Sequence, residues 1–351
     1  MKASVLAKTL PALLAQKASV NLLGAPGGGK SSIFQQVAKG LGWDGVRTDI
    51  HPNPETQDYG YIEVTVPTKL IEDFGIPDMM TSAHSFGYKM PEWFPFEGHP
   101  TYPKKGFINF DDRGQANPDL QKIIANIQQA RNLHGVPLMD GWSIVATGNR
   151  VKDRAGASRV LSHLADREID IELETNLDDS CAWALANNIH PAIIAFWRFK
   201  PAMLHSFDPA RDKNATPRGW CDSKDGINAI IGNVPPEAEL ECFKGRIGEG
   251  IAIEFKAFMD MYRKLPNPDA VIMNPDTHAV PKEGSVLYAL SGALSTRATE
   301  SNFSRIMQFA ERMPPEFTTL LIKDALVRNP LIASTPAFTA WAAGAGSNIL
   351  L

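Results

Sequence analysis

At 351 residues the chain is too long for one compact core, so two or three domains are expected. Its 44% hydrophobic and 21% charged content are those of an ordinary soluble globular protein, and a formal net charge of -4 argues against a dedicated nucleic-acid binder, which would carry a basic excess. Three widely spaced cysteines, Cys181, Cys221 and Cys242, form neither a metal-binding spacing nor a disulfide framework, and read as packing residues in a reducing interior.

Met1 to Leu14 carries Leu6, Leu10, Leu13 and Leu14 at helical spacing and reads as a short amphipathic helix, not a signal peptide. No apolar run is long enough to cross a bilayer, so a cytoplasmic protein with no membrane partner is expected. Val20 to Leu23 predicts a buried strand, and Ser32, Ile33, Phe34, Val37 and Ala38 follow a helical pattern. Between them Gly24-Ala25-Pro26-Gly27-Gly28-Gly29-Lys30-Ser31 satisfies the P-loop pattern G-x-x-x-x-G-K-[ST]. Glycines let the backbone curl so that successive N–H groups point at one place, where the helix N-terminus adds its positive end. Lys30 can reach the β- and γ-phosphates of ATP, and the Ser31 hydroxyl can ligate Mg²⁺. Gly24 through Ser32 are therefore the expected nucleotide-binding residues.

Gly40-Leu41-Gly42 stops that helix, and Val46 to Ile50 predicts a weak second strand. From about 51 to 105 proline, glycine and aromatics dominate, as in an insertion or working surface. Within it Glu63-Val64-Thr65-Val66-Pro67 alternates, as a hairpin arm would. Tyr59, Tyr61, Phe86 and Tyr88 either face a partner or pack a small core of the insertion itself.

Gly106 to Asp112 predicts a buried strand that ends in two carboxylates, Asp111 and Asp112. One can hold Mg²⁺ and the next can activate an attacking water. Pro118 to Leu133 predicts a helix, Gly135 to Gly141 a hairpin-like turn, and Trp142 to Thr147 another buried strand, followed by Asn149. An amide there can orient the attacking water. Leu164-Ala165-Asp166-Arg167 precedes a last strand, Ile169 to Leu173, and Arg154 and Arg159 lie close by. An arginine in this position can reach a neighbour's nucleotide. Strands alternating with helices predict a mostly parallel sheet with helices on both faces. Beyond Asn176 helical spacing covers 178–188, 191–204, 217–231 and 246–265. A proline-rich polar stretch, 267–284, then precedes a last helical part. Thr216-Pro217-Arg218 opens one of these helices, with Arg218 at its start. The eight histidines form no metal-binding spacing, so Mg²⁺ is the one metal inferred.

This order of features resembles the AAA+ ATPases, whose Walker B, sensor 1, arginine finger and sensor 2 correspond to Asp111-Asp112, Asn149, Arg167 and Arg218. More narrowly it is similar to the MoxR branch of bacteria and phages. That match rests on Asp58-Tyr59-Gly60, Pro91-Glu92-Trp93-Phe94-Pro95, Asp140-Gly141-Trp142, Phe207-Asp208-Pro209 and Thr216-Pro217-Arg218-Gly219-Trp220. The resemblance covers residues 15 to 265. It implies an α/β fold, with a P-loop AAA+ core over 1–174, an insertion at about 51–105, a helical lid over 175–265 and a C-terminal helical extension over 266–351. It also implies a Mg-ATP-dependent ATPase that forms a homo-oligomer, a hexameric ring, and remodels a protein partner, in some relatives one with a von Willebrand factor A domain. The catalytic set would be Asp112, Asn149, Arg167 and Arg218, with Ser31 and Asp111 on the metal. The family's usual second Walker B residue is Glu, one methylene longer than Asp112. The alternative is a nucleic-acid-associated motor or phage accessory ATPase, which Lys104-Lys105, the only basic doublet near the insertion, supports little. A monomeric P-loop phosphotransferase is a third reading, against which the helical extension counts.

Overall fold

The computed structural model describes residues 1–45, 58–79, 87–153, 168–344 and 346, which divide into two compact units, 1–175 and 176–351. The expected strand at 46–50 lies outside the described residues.

The first unit is built on a five-stranded parallel sheet. Its strands are β1 (Val20–Gly24), β2 (Gly60–Thr65), β5 (Gly106–Asp111), β8 (Trp142–Asn149) and β9 (Ile169–Glu172), in the order β2-β5-β8-β1-β9. Among the described residues two further antiparallel pairs form, β3 (Ile76–Asp78) with β4 (Gly87–Lys89) and β6 (Asn132–Leu133) with β7 (Val136–Pro137). β8 is buried along its whole length, as a central parallel strand covered on both faces must be. One face packs on α1 (Ala3–Ala15) and α2 (Lys30–Gly40), where Leu6, Leu10, Ile33 and Phe34 meet Val20, Leu22, Tyr61, Phe107 and Val145. The other packs on α3 (Pro118–Ala130), where Leu120, Ile124 and Ile127 meet Ile62, Val64, Ile108, Phe110 and Ile144. Successive residues of β5 thus serve opposite cores, as the two-residue period of a strand requires. Asn117 caps α3 by accepting the Asp119 N–H, and α3 ends at Ala130 because Arg131 turns left-handed (φ 51°) into the β6–β7 hairpin. Fully buried Trp142 donates its indole N–H to the Pro103 carbonyl at 2.9 Å. Its ring lies where a Cβ on Gly60 or Gly106 would sit, at 2.4 and 2.8 Å, so those two strand starts admit only glycine.

Residues 60–65 were expected as part of an insertion, with Glu63 to Pro67 as a hairpin arm. They form an edge strand of the main sheet instead. Ile62 and Val64 enter one core and Tyr61 the other, and a short 3₁₀ turn, Val66–Thr68, ends the strand. Tyr61 packs on Trp43 and Phe107, and Tyr59 on Phe107, so both belong to the main core. Tyr88 is 39% exposed and stacks on His134, and Phe86 lies outside the described residues.

The second unit is helical: α4 (Leu177–Ala186), α5 (Pro191–Phe199), α6 (Pro217–Cys221), α7 (Ile227–Ile230), α8 (Glu239–Ile247), α9 (Glu249–Tyr262), α10 (Pro268–Met273), α11 (Gly284–Arg297), α12 (Phe303–Ala310), α13 (Pro315–Arg328) and α14 (Pro336–Ala343). The helix expected over 217–231 is two short helices, because the chain turns through Asp222 to Gly226. The one expected from 246 begins at Glu239 and breaks at Gly248 (φ 85°), where the axis changes direction. Pro201 ends α5 early and starts a 3₁₀ turn. Two cores lie side by side here. One holds Phe196, Trp197, Trp220 and Phe255, the other Leu290, Phe303, Phe309 and Leu321. α11 packs on both α5 and α13, and Arg198 of α5 grips Asp324 of α13 at 2.5 and 2.7 Å. The proline-rich stretch read as a boundary contains α10, whose Val271 and Ile272 are buried in the second of these cores. Among the described residues no helix is long and apolar enough to cross a membrane.

Candidate nucleotide site

All five strands are parallel, so their carboxyl ends lie along one edge of the sheet, where open α/β folds bind ligands. β1 ends at Gly24 and the chain curls through Gly27 (φ 70°) and Gly29 (φ 90°) before α2 begins at Lys30. These are left-handed conformations that side chains rarely tolerate, and they turn the loop back on itself. The Gly28 N–H donates to the Ala25 carbonyl at 3.3 Å, which closes the turn.

Lys30 is 8% exposed. Its ammonium donates to the Gly24 and Ala25 carbonyls, each at 3.1 Å, and to Asn149 Oδ1 at 2.9 Å. Asn149 reaches it because β8 pairs directly with β1, with Gly24 opposite Asn149 in the register. On the other side β8 pairs with β5, so the end of β8 stands between the P-loop and the acidic pair. Ser31 Oγ donates to Asp111 Oδ1 at 2.7 Å, and Thr147 Oγ1 donates to the same oxygen at 2.5 Å. The Thr147 hydroxyl also accepts the Asp112 N–H at 3.0 Å. One fully buried hydroxyl thus fixes both members of the acidic pair.

Asp112 leaves the strand direction in a left-handed conformation, φ 52° and ψ 35°. That turns its half-buried carboxylate away from the line of β5. Arg113 follows as a buried cation, 2% exposed, held by Glu168 through paired bonds of 2.7 and 2.8 Å and by Gln128 at 2.7 Å. Arg150, just beyond Asn149, is tied to Asp153 and Glu172, and these hydrogen bonds, the one to Asp153 foremost, hold its guanidinium firmly protonated.

A hydroxyl and a carboxylate 2.7 Å apart at the mouth of a phosphate loop are the hard-oxygen pair that Mg²⁺ uses beside phosphate oxygens, so Ser31 and Asp111 fit that ion. Among the described residues there is no cluster of three or more His, Cys, Asp or Glu that would form an all-protein metal cage.

The structure therefore brings together Gly24, Lys30, Ser31, Asp111, Asp112 and Asn149. Arg154, Arg159 and Arg167 lie outside the described residues. Arg218 belongs to the second unit, where it is exposed at the start of α6, a helix capped by Thr216. Sequence reasoning missed Thr147. Its signal was the polar pair Thr147 and Asn149, two residues apart and so on one face at the end of a largely apolar strand. It also missed Arg113, which reads as a solvated charge until Glu168 is seen beside it.

No protein-family profile matches the chain, and no curated protein matches it. Solved structures do match. A presumed ATPase from Cytophaga hutchinsonii is 14% identical, over 92% of this chain and 79% of its own, with a TM-score of 0.33. NtrX from Brucella abortus in complex with ATP is 12% identical, over 93% of this chain and 66% of its own, with a TM-score of 0.35. A RuvB mutant from Thermotoga maritima is 15% identical, over 83% of this chain and 81% of its own, with a TM-score of 0.34.

Proposed function

We propose that the protein is a Mg-ATP-dependent ATPase of AAA+ type. The observation that carries this reading is the meeting of Lys30, Ser31, Asp111, Thr147 and Asn149 at the carboxyl ends of β1, β5 and β8. Lys30 offers a buried cation to the β- and γ-phosphates, and Asn149 holds it in place. Ser31 and Asp111 bind Mg²⁺, which supplies charge neutralisation on the phosphates. Asp112 accepts the proton of the attacking water, and Asn149 orients that water. The finer reading rests on the order of motifs in the sequence. In it the subunits form a ring, hexameric in the MoxR branch, and an arginine among Arg154, Arg159 and Arg167 completes a neighbour's site. Arg218 senses the nucleotide, and the ring remodels a protein partner.

The test is ATP binding and hydrolysis by wild type, Lys30→Ala and Asp112→Asn. Lys30→Ala removes charge-assisted hydrogen bonds worth about 1.5–3 kcal/mol, so ATP affinity falls at least about tenfold. Asp112→Asn binds ATP as wild type does and hydrolyses it slowly. Unchanged ATP affinity in Lys30→Ala overturns the assignment.

A further inference from the structure

Asn109 is a polar residue in the middle of an otherwise apolar strand, and it is completely buried. Its Nδ2 donates to the Tyr61 hydroxyl at 3.3 Å, while its Oδ1 has no hydrogen-bond partner among the described residues. The direction of this bond is fixed by the next one. Tyr61 gives its single hydroxyl proton to Glu63 Oε2 at 2.5 Å, so toward Asn109 it can only accept. Burial and the neighbouring charge of Glu63 both push the Tyr61 phenol up, which keeps that proton in place. Gln35 Nε2 donates to the same Glu63 oxygen at 3.3 Å. A chain of four side chains therefore runs from α2 through β2 to β5.

Its two ends coincide with the metal pair. Gln35 lies one helical turn beyond Ser31 on α2. Asn109 lies two residues before Asp111, on the same face of β5. Glu63 stands opposite Asn109 in the β2–β5 register. A buried amide that leaves one acceptor unsatisfied costs stability where valine would cost none. The sequence accepts that cost beside the metal site.

We infer that Gln35, Glu63, Tyr61 and Asn109 form a positioning chain that holds α2 against β5 and so sets the Ser31–Asp111 separation, and with it the affinity for Mg²⁺. This rests on the ATPase reading above. None of the four touches the nucleotide's reacting atoms; they act through Ser31 and Asp111.

The experiment titrates Mg²⁺ in ATP hydrolysis by the full chain for wild type, Gln35→Met, Tyr61→Phe and Asn109→Val. It is paired with ATP affinity in EDTA and with thermal unfolding. Gln35→Met and Asn109→Val each lose one hydrogen bond of the chain and Tyr61→Phe loses two; part of that loss reaches the metal pair, so half-saturating Mg²⁺ rises about threefold to tenfold. The rate at saturating Mg²⁺ and the EDTA affinity stay within about twofold of wild type, as expected when only the metal pair is disturbed. Asn109→Val melts at or above the wild-type temperature, since it removes the orphaned acceptor. A merely structural network would instead lower melting temperature, rate and affinity together, and that result overturns the proposal. Wild-type Mg²⁺ midpoints in all three variants overturn it equally. Gln35→Met changes a half-buried helix surface and keeps the test open if a core variant fails to fold. Loss of the ATPase reading itself shows separately, as no Mg²⁺-dependent hydrolysis by wild type.

Discussion

Thr147 links the two carboxylates on which the proposed chemistry depends. Its hydroxyl donates to Asp111 and accepts from the Asp112 backbone, and it has no exposure to water. Thr147→Val keeps the shape and removes both bonds. The Asp112 N–H is then left facing a methyl group, and the left-handed conformation at Asp112 loses one of its restraints. Stability falls by about 1–3 kcal/mol, the cost of stranding a buried donor. Hydrolysis falls more than ATP affinity does, because Lys30 and the P-loop backbone are untouched. Thr147→Ser restores the hydroxyl and recovers most of the rate. A Thr147→Val protein with full hydrolysis would show that the bridge positions nothing. Asp112, Asn149 and the P-loop were legible from sequence because each is a local pattern at the end of an apolar run. Thr147 was not, since a threonine inside a strand is ordinary until its neighbour across the sheet is known.

The same limit operates on elements. β2 was read as a hairpin arm because a parallel strand carries no turn signal toward its partner. Its partner β5 begins at Gly106, more than forty residues later in the chain. The helices of the second unit were merged in the reading because apolar spacing runs on across Gly226 and Gly248, and periodicity alone does not mark a change of axis. Caps do mark it, and one of them is titratable. His190 caps α5 with its ring, Nδ1 accepting the Ala192 N–H at 3.2 Å, while its backbone N–H donates to Asn228 at 2.7 Å. Burial, then the positive charge of Arg263, lowers its pKa below the ordinary 6.5, with Glu239 opposing in part. Tyr262 packs on the imidazole in a T-shaped contact, ring centres 5.7 Å apart. The fold thus favours the neutral ring, the only form that can accept at Nδ1. This contribution is fully present above pH 6.5, the unfolded value, and is lost as pH falls from there through the lower folded value. His190→Asn caps with an amide oxygen and has nothing to protonate. Urea midpoints measured from pH 7.5 to 5 should fall less steeply in His190→Asn than in wild type. Parallel slopes would remove the histidine from the account.

At the scale of the whole chain, composition anticipated more than one domain, and the structure divides at 175–176. The stretch after 266 was read as a C-terminal extension; in the second unit of the structure α11 packs on both α5 and α13, and α13 packs on α4. What joins the two cores of that unit is partly ionic. Arg198 and Asp324 are 13% and 4% exposed, and each arm of the guanidinium meets one carboxylate oxygen. Burial lowers the pKa of the Arg328 guanidinium, the Asp324 charge opposes that shift, and the Arg198 charge adds to it. Asp324→Leu therefore strands one buried cation close to another. Breaking a buried pair from one side costs about 3–5 kcal/mol, whereas replacing both partners with apolar groups is often neutral. Arg198→Met combined with Asp324→Leu should accordingly recover most of the loss. Nucleotide provides the internal control. With Arg218→Ala as the background, which removes the second unit's proposed contact, nucleotide binds only the folded P-loop unit and stabilises it by about 2.7 kcal/mol at a hundredfold excess over its Kd. In scanning calorimetry the Asp324→Leu protein should show a lowered transition that ATP and Mg²⁺ do not raise. The nucleotide-responsive transition should stay where wild type has it. A single transition that moves with both the substitution and the nucleotide would mean that the two units unfold as one. An Asp324→Leu protein as stable as wild type would mean that the ion pair contributes nothing to joining the two helical cores.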